Sequence, residues 1–472
     1  MNVEINSNIE IFEPNENIDN YIKNNLILNN PLYKQMIIQG KEDLIRIKHI
    51  PEKINLAYKQ RNKVILPFGC LHSIWHLIKN CPIETKFNEN GNISIKDEPS
   101  NLDTTGDYNY QENAINAMIK ARGGVLVSPC GSGKTCMGIE IIKRIGKKAL
   151  WLCHTSDLLK QAQKDMLNLY PNMKIGLTTN GTLDIGEDVT ISTIQTLVTI
   201  DPALYKDQFD VIILDECAHV SGCVTQMKMF IKVLSQIPAR YKFGLTATPD
   251  RSDGLIKSMY AYIGTNLLGD FAPTYTINKD DVKTMVSIHE KIEMNTGYEE
   301  DKLYELVNPS GMIIYNQLID SLLNNDKRNN IIIDNVIKCD KEHRKQIVLS
   351  NRIEHCKLLT EKLEEKGLKV QLVTGKTTTQ KNRTKILFQE IDWDIIVATY
   401  SLLKEGVNIK ELDTLHLAMP IADKSMMIQC AGRIERYLPN KKQPIVYDYV
   451  DVDIPYCNKI YLKRRRALKN RF

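Results

Sequence analysis

Residues 123–135 read GGVLVSPCGSGKT: five small or apolar residues, then a glycine-rich turn that ends in a lysine and a threonine. The run Gly123–Val127 predicts a buried strand, and Lys134 onward predicts the first turn of a helix. A strand that feeds a helix through such a turn is the setting of a phosphate-binding loop, the Walker A motif. Gly131 and Gly133 let the backbone amides curl around phosphate oxygens, with Ser128 and Ser132 in the same loop. Lys134 is placed to reach the β- and γ-phosphates, and Thr135 to hold Mg²⁺. The strict pattern opens with glycine, whereas this loop opens with Ser128. Read alone, the stretch is also compatible with a plain strand-to-helix turn.

Its surroundings decide between the two. About 80 residues on, DVIILDECAH (Asp210 to His219) is an apolar strand that ends in adjacent carboxylates. Asp215 there can bind Mg²⁺ through water, and Glu216 can act as general base toward an attacking water. Short apolar runs alternate with amphipathic helical stretches on both sides: ALWLCH, VTIST and FGLTAT, then QIVLSN, VQLVTG, DIIVATY, LHLAMP and PIVYDYV. That texture predicts parallel sheets covered by helices, an α/β fold in two successive units. Around 271–338 the alternation pauses. Upstream, Val64–Phe68 followed by a helix through Trp75 reads as a small folded module. The polar, Asn- and Gly-containing stretch Asn88 to Asp107 reads as a linker.

Four further segments fit the same machine. LTATPDR (Leu245 to Arg251) places Thr246 and Thr248 at a strand end. Asn351 and Arg352 follow the strand QIVLS, and ATYSLLKEGVNI (Ala398 to Ile409) brings Thr399 and Gly406 after the strand DIIV. QCAGRIER (Gln429 to Arg436) carries Arg433 and Arg436 three apart, which predicts one shared helix face and a pair of arginine fingers. In isolation that last pattern is an ordinary salt-bridged helix; in this order and company the arginine-finger reading prevails.

Together these motifs, from Tyr108 to Tyr449, resemble the superfamily 2 helicases and translocases of the DEAH-type branch, over nearly three-quarters of the chain. The resemblance implies two tandem RecA-like domains that clamp ATP and Mg²⁺, preceded by a small N-terminal α+β module. It implies that Gln111 contacts adenine, although Asn109 stands where the family usually has other residues before that glutamine. It further implies that His219 couples the carboxylate strand to Thr246 and Thr248, that Gln429, Arg433 and Arg436 belong to the catalytic set, and that Gly406 lies by the nucleotide. His154, Thr155, Thr193, Gln195, Asn351, Arg352 and Thr399 match positions that contact the nucleic-acid strand. The segment TATPDRSDG (Thr246 to Gly254) is similar to that of XPB-like, UvsW-like and poxvirus transcript-release helicases, with Ser252 where XPB-like proteins have Glu. Those relatives favour DNA as the partner, with RNA as the alternative, and RNA polymerase or other transcription or repair proteins as possible company.

Composition sets bounds without naming a function. The chain has 472 residues, 43% hydrophobic and 25% charged, the balance of an ordinary globular protein. The formal charge is +5, too mild to mark a nucleic-acid binder by itself. Lys463 to Phe472 hold six basic side chains and no acidic ones; without them 56 basic face 57 acidic. The expected divisions are 1–100 (accessory module), 101–270 and 271–462 (the two RecA-like domains) and 463–472 (basic tail). No apolar run is long enough for a membrane span, and no secretion signal is read, so a cytoplasmic, virion or host-cell location is expected. The 11 cysteines include no CxxC pair and read as reduced thiols. Cys70, His72, His76 and Cys81 include residue types that can bind zinc, but their spacing misses the usual patterns and LHSIWHLI reads as a buried helix.

Overall fold

The computed structural model describes the chain except residues 130, 219–223, 248–254, 296, 298–305, 308–312, 375–391, 401–408, 422 and 470–472. It divides into two units, Met1–Val282 and Lys283–Phe472.

The first unit is built on a seven-stranded, wholly parallel sheet. Its order runs Ile175–Thr178, Val189–Thr193, Ala149–Cys153, Val211–Asp215, Tyr241–Thr246, Gly123–Val127, Tyr275–Thr276. Each central strand is buried on both faces, as parallel sheets require. Leu150, Leu152, Ile212 and Leu214 enter one apolar cluster, while Trp151, Cys153, Val211 and Ile213 enter the other. The strand period of two separates the faces, so the sequence shows continuous apolar runs rather than alternation.

Residues 1–100 do not stand apart from this sheet. Their own five-stranded sheet has the order Tyr58–Gln60, Lys63–Pro67, Asn8–Phe12, Asn2–Ile5, Ile83–Thr85, parallel only in the last pair. Val3, Ile9, Val64 and Leu66 share one cluster with Leu150, Ile212 and Leu214. The join is also polar: Lys242 Nζ, from the strand Tyr241–Thr246, donates to Ser7 O at 3.1 Å and Leu234 O at 3.0 Å and lies 4.6 Å from the Phe68 ring centre. The expected linker Asn88 to Asp107 is a strap laid on the seven-stranded unit. Asn88 Nδ2 donates to Phe209 O, Ser94 binds the Asp188 carboxylate, and Ile95 is fully buried.

The second unit carries a six-stranded parallel sheet in the order Ile288–Met294, Ile445–Asp451, Thr414–Leu417, Gln346–Ser350, Ile395–Thr399, Val370–Val373. Two apolar clusters again cover its two faces. The pause at 271–338 therefore conceals an edge strand, Ile288–Met294. The basic tail expected at 463–472 is helical through Lys469, in Pro455–Lys469. Arg464 is 2% exposed and clasps the buried Asp448 carboxylate, so one of the six cations is structural. Asp448 is held below the usual carboxylate range, its burial outweighed by Arg464 and His289.

Candidate nucleotide and nucleic-acid site

Because all strands of the first sheet are parallel, their C-terminal ends lie along one edge, where ligands of open α/β sheets bind. The strand Gly123–Val127 delivers Ser128 to that edge, and Ser128 N donates to Thr246 O at 2.9 Å, so the loop begins against the neighbouring strand end. Gly131 and Gly133 have φ of 85° and 84°, left-handed backbone that glycine adopts without strain. Ser132 Oγ bonds Ser128 Oγ and donates to Pro129 O, closing the loop on itself. Helix Lys134–Ile145 follows. A Cβ on Gly138 would meet Leu245 and Trp151 at under 3 Å, so this glycine lets the helix sit close on the sheet.

The two carboxylates stand beside this loop. Asp215 closes the strand Val211–Asp215 and is 8% exposed. Burial and the adjacent Glu216 push its carboxyl up to about 7, against the opposing pull of Lys134. Glu216 has φ 50°, a left-handed conformation unusual for a side chain of its size, and strain of this kind gathers at functional positions. Its Oε1 lies 3.4 Å from Lys134 Nζ. The loop lysine and the general-base candidate thus share one electrostatic site, which suits a cation and a phosphate chain.

Gln111 lies at the loop, on helix Asn109–Ala121. Its Nε2 donates to Ser132 O at 2.8 Å, and its buried Oε1 has no hydrogen-bond partner among the described residues. An unsatisfied buried acceptor is costly, and the amino group of a bound base is the kind of donor that satisfies it. Two contributors were missed in sequence. Tyr110 Oη also donates to Ser132 O, at 3.1 Å. Arg144 clamps Glu112 and Glu140, tying helix Asn109–Ala121 to helix Lys134–Ile145. The Arg144 guanidinium holds the Glu112 carboxyl down to about 2. Tyr110 adjoins Gln111 and could have been found; the Glu112–Arg144 pair spans 32 residues and has no local signature.

The strand-contact candidates occupy the other half of the same edge. His154 and Thr155 follow Ala149–Cys153, and Thr193 closes Val189–Thr193, with Thr193 in register with Cys153. Thr155 and Thr193 spend their hydroxyls as helix N-caps, accepting from Leu158 N and Thr196 N. Gln195 is exposed. The nucleotide candidates therefore lie on Gly123–Val127, Tyr241–Thr246 and Val211–Asp215, the nucleic-acid candidates on the two strands beyond, and the carboxylate strand forms the boundary.

In the second unit, Ser350 pairs with Thr399 in register, which brings Asn351, Arg352 and Thr399 to one sheet edge. Asn351 Nδ2 donates to Tyr315 Oη and Pro420 O; Arg352 is held by Asp320 at 3.1 Å and by Asn316. Gln429 and Arg433 sit one turn apart on helix Lys424–Ile434. The expectation that Arg433 and Arg436 share a helix face is corrected: the helix ends at Ile434, and Arg436 bridges to Thr284. His219, Thr248 and Gly406 lie outside the described residues, as does 249–254 of the XPB-like segment. Cys70 is buried with its Sγ toward Ala261 O, and among the described residues no group of three or more His, Cys, Asp or Glu could hold a metal. No helix among them is long and apolar enough to cross a membrane.

With this geometry in place, comparison with known proteins is specific. Residues 106–251 match the family described as type III restriction enzyme, res subunit, and residues 327–437 match the helicase conserved C-terminal domain. A protein of Acanthamoeba polyphaga mimivirus, provisionally named an ATP-dependent RNA helicase, is 25% identical over 76% of this chain, which spans 66% of that relative's length. The ATP-dependent DNA helicase uvsW of Enterobacteria phage T4 is 24% identical over 82% of this chain and 79% of its own. Among solved structures, S. cerevisiae Dbp5 bound to RNA and ADP BeF3 shares the fold, with TM-score 0.57 and 14% identity over 85% of this chain and 91% of that one.

Proposed function

The chain belongs to the superfamily 2 helicases, which hydrolyse ATP, and we propose that it uses this hydrolysis to move along DNA. The observation that supports the reading is the order of strands along one sheet edge: the phosphate-loop candidates and the strand-contact candidates lie on opposite sides of the strand that ends in Asp215. In this reading a change at the nucleotide acts one strand away from the nucleic-acid candidates.

In this reading Gly131, Ser132, Gly133 and Lys134 hold the ATP phosphates, Gln111 faces the adenine, and Thr135 and Asp215 hold Mg²⁺. Bound Mg²⁺–ATP supplies the phosphoanhydride and shields its charge. Glu216 orients a water and takes its proton, and it leaves its pairing with Lys134 to do so. Arg433, with Gln429 and Arg436, balances charge on the transferred phosphoryl group. Thr246 and Thr248 connect the loop to the strand-contact half, and His219 and Gly406 take the roles that the family assigns to their positions.

DNA is favoured by the UvsW-like and XPB-like character of Thr246 to Gly254 and by the long match to the phage DNA helicase. The mimivirus relative's name supports RNA as the second reading. Transcript release, repair and recombination, with a polymerase as partner, are the processes that such a DNA motor fits. Steady-state ATPase assays with DNA present test the site. Lys134→Ala and Glu216→Gln should each lower turnover by a factor of about 10² or more; wild-type turnover in either variant would remove these residues from the reaction.

A further inference from the structure

The last helix of the second unit, Pro455–Lys469, is charged out of proportion to the unit that it closes. Residues 283–454 carry 25 Lys or Arg against 26 Asp or Glu, whereas residues 455–472 carry seven against none. Arg464 is accounted for by Asp448, and with Cys457 and Ile460 it makes up the buried face of the helix. Lys459, Lys463 and Arg466 recur at helical spacing on the opposite face. All three are exposed, as is the adjacent Arg465, and none of the four forms an ion pair among the described residues.

Helix stability does not account for this stripe. Cations favour the last turn of a helix, where they meet its negative end. Lys459 and Lys463 lie in earlier turns, and like charges three and four residues apart weaken a helix. The stripe therefore costs the helix stability and suits an anionic partner. Its three cations span about 10 Å along the helix axis, close to the axial rise of about three phosphate steps in one strand of a duplex.

What lies beside the helix identifies the anion. Arg464 Nη1 donates to Ile421 O at 3.1 Å, and Asn351 Nδ2 donates to Pro420 O at 2.9 Å. The helix and the strand-contact candidate Asn351 are thus tied to consecutive carbonyls of one segment, which follows the strand Thr414–Leu417. We propose that Lys459, Lys463 and Arg466 extend the nucleic-acid site of the second unit, contacting backbone phosphates of DNA bound at Asn351. Contacts to phosphate supply affinity and position without reading sequence, as a translocating motor requires. The proposal rests on the reading of the chain as a DNA motor and adds binding residues to it. An acidic protein would need the cations but not their tie to the segment that holds Asn351.

The test uses the full chain and a fluorescent forked DNA, with affinity measured by anisotropy over a range of salt concentrations. The triple variant Lys459→Gln, Lys463→Gln, Arg466→Gln should bind about tenfold more weakly at low salt and lower the slope of log affinity against log salt by about 2. Its substitutions are exposed and lie outside the nucleotide site, so ATP turnover without DNA should be unchanged. A control variant, Lys327→Gln, Lys338→Gln, Lys341→Gln, removes the same charge from helix Asp326–Lys341. That helix packs into the apolar cluster on the other face of the sheet through Ile332 and Val336, and the control should leave the slope unchanged. A slope unaltered in the stripe variant, or lowered equally in the control, would overturn the proposal, including in favour of an acidic protein. The wild type keeps the two readings apart. Failure of the wild type to bind DNA overturns the DNA motor and the stripe with it, whereas equal binding by the wild type and the stripe variant overturns the stripe alone.

Discussion

Two residues show how local energetics serve the site. Glu216 stands at φ 50° directly after a strand, with its carboxylate 3.4 Å from Lys134 Nζ. An L-residue there costs roughly 1–2 kcal/mol, which the fold sustains to aim the carboxylate at the phosphate loop. Lys242 is the second. Fully packed against Ser7 O, Leu234 O and Phe68, its amine is pushed by burial down to about 7. In the unfolded chain it titrates near its ordinary value of roughly 10.4. Between those values the unfolded chain binds a proton that the folded chain does not, so stability should rise with pH across that window. Below about 7 both states are protonated and the gain is gone. Urea midpoints measured from about pH 6 to pH 9 should climb for the wild type. Lys242→Met should flatten that climb; an equal climb in the variant would assign it to another group.

At the scale of elements, the phosphate loop is held from behind by one helix pair. Tyr110 and Gln111 grip Ser132 O, and the Glu112–Arg144–Glu140 cluster keeps their helix in place. Glu140 is fully buried, so Arg144→Met leaves a buried carboxylate without its cation. The variant should lose about 3 kcal/mol of stability and raise the KM for ATP more than it lowers kcat, measured by denaturation and steady-state kinetics. Much of this level was legible in sequence. Strands buried on both faces appear as unbroken apolar runs, and the loop and carboxylate motifs sit at their ends. The rest depends on distant contacts. Ile93 and Ile95 are isolated apolar residues in polar text, yet they anchor a strap on the motor. The helix carrying Gln429 ends before Arg436 because the chain turns there to pair with Thr284 and Met285, about 150 residues away. Arg464, in a string of cations, reads as a solvated tail until Asp448 is seen beneath it.

At the scale of the molecule, each unit has its own parallel sheet and its own pair of cores, and the division falls after Val282. The N-terminal module shares an apolar cluster with one face of the first motor sheet. Deleting residues 1–87 should therefore uncover apolar surface and give an aggregated product by size-exclusion chromatography, where the intact chain elutes as a discrete species. A discrete, soluble truncation would show that the module is separable. The motor itself is tested most directly by measuring ATP turnover with duplex DNA, single-stranded DNA and RNA in parallel. Stimulation by DNA, exceeding that by RNA and abolished by Lys134→Ala, is the expected result; stimulation by RNA alone would contradict the assignment to DNA.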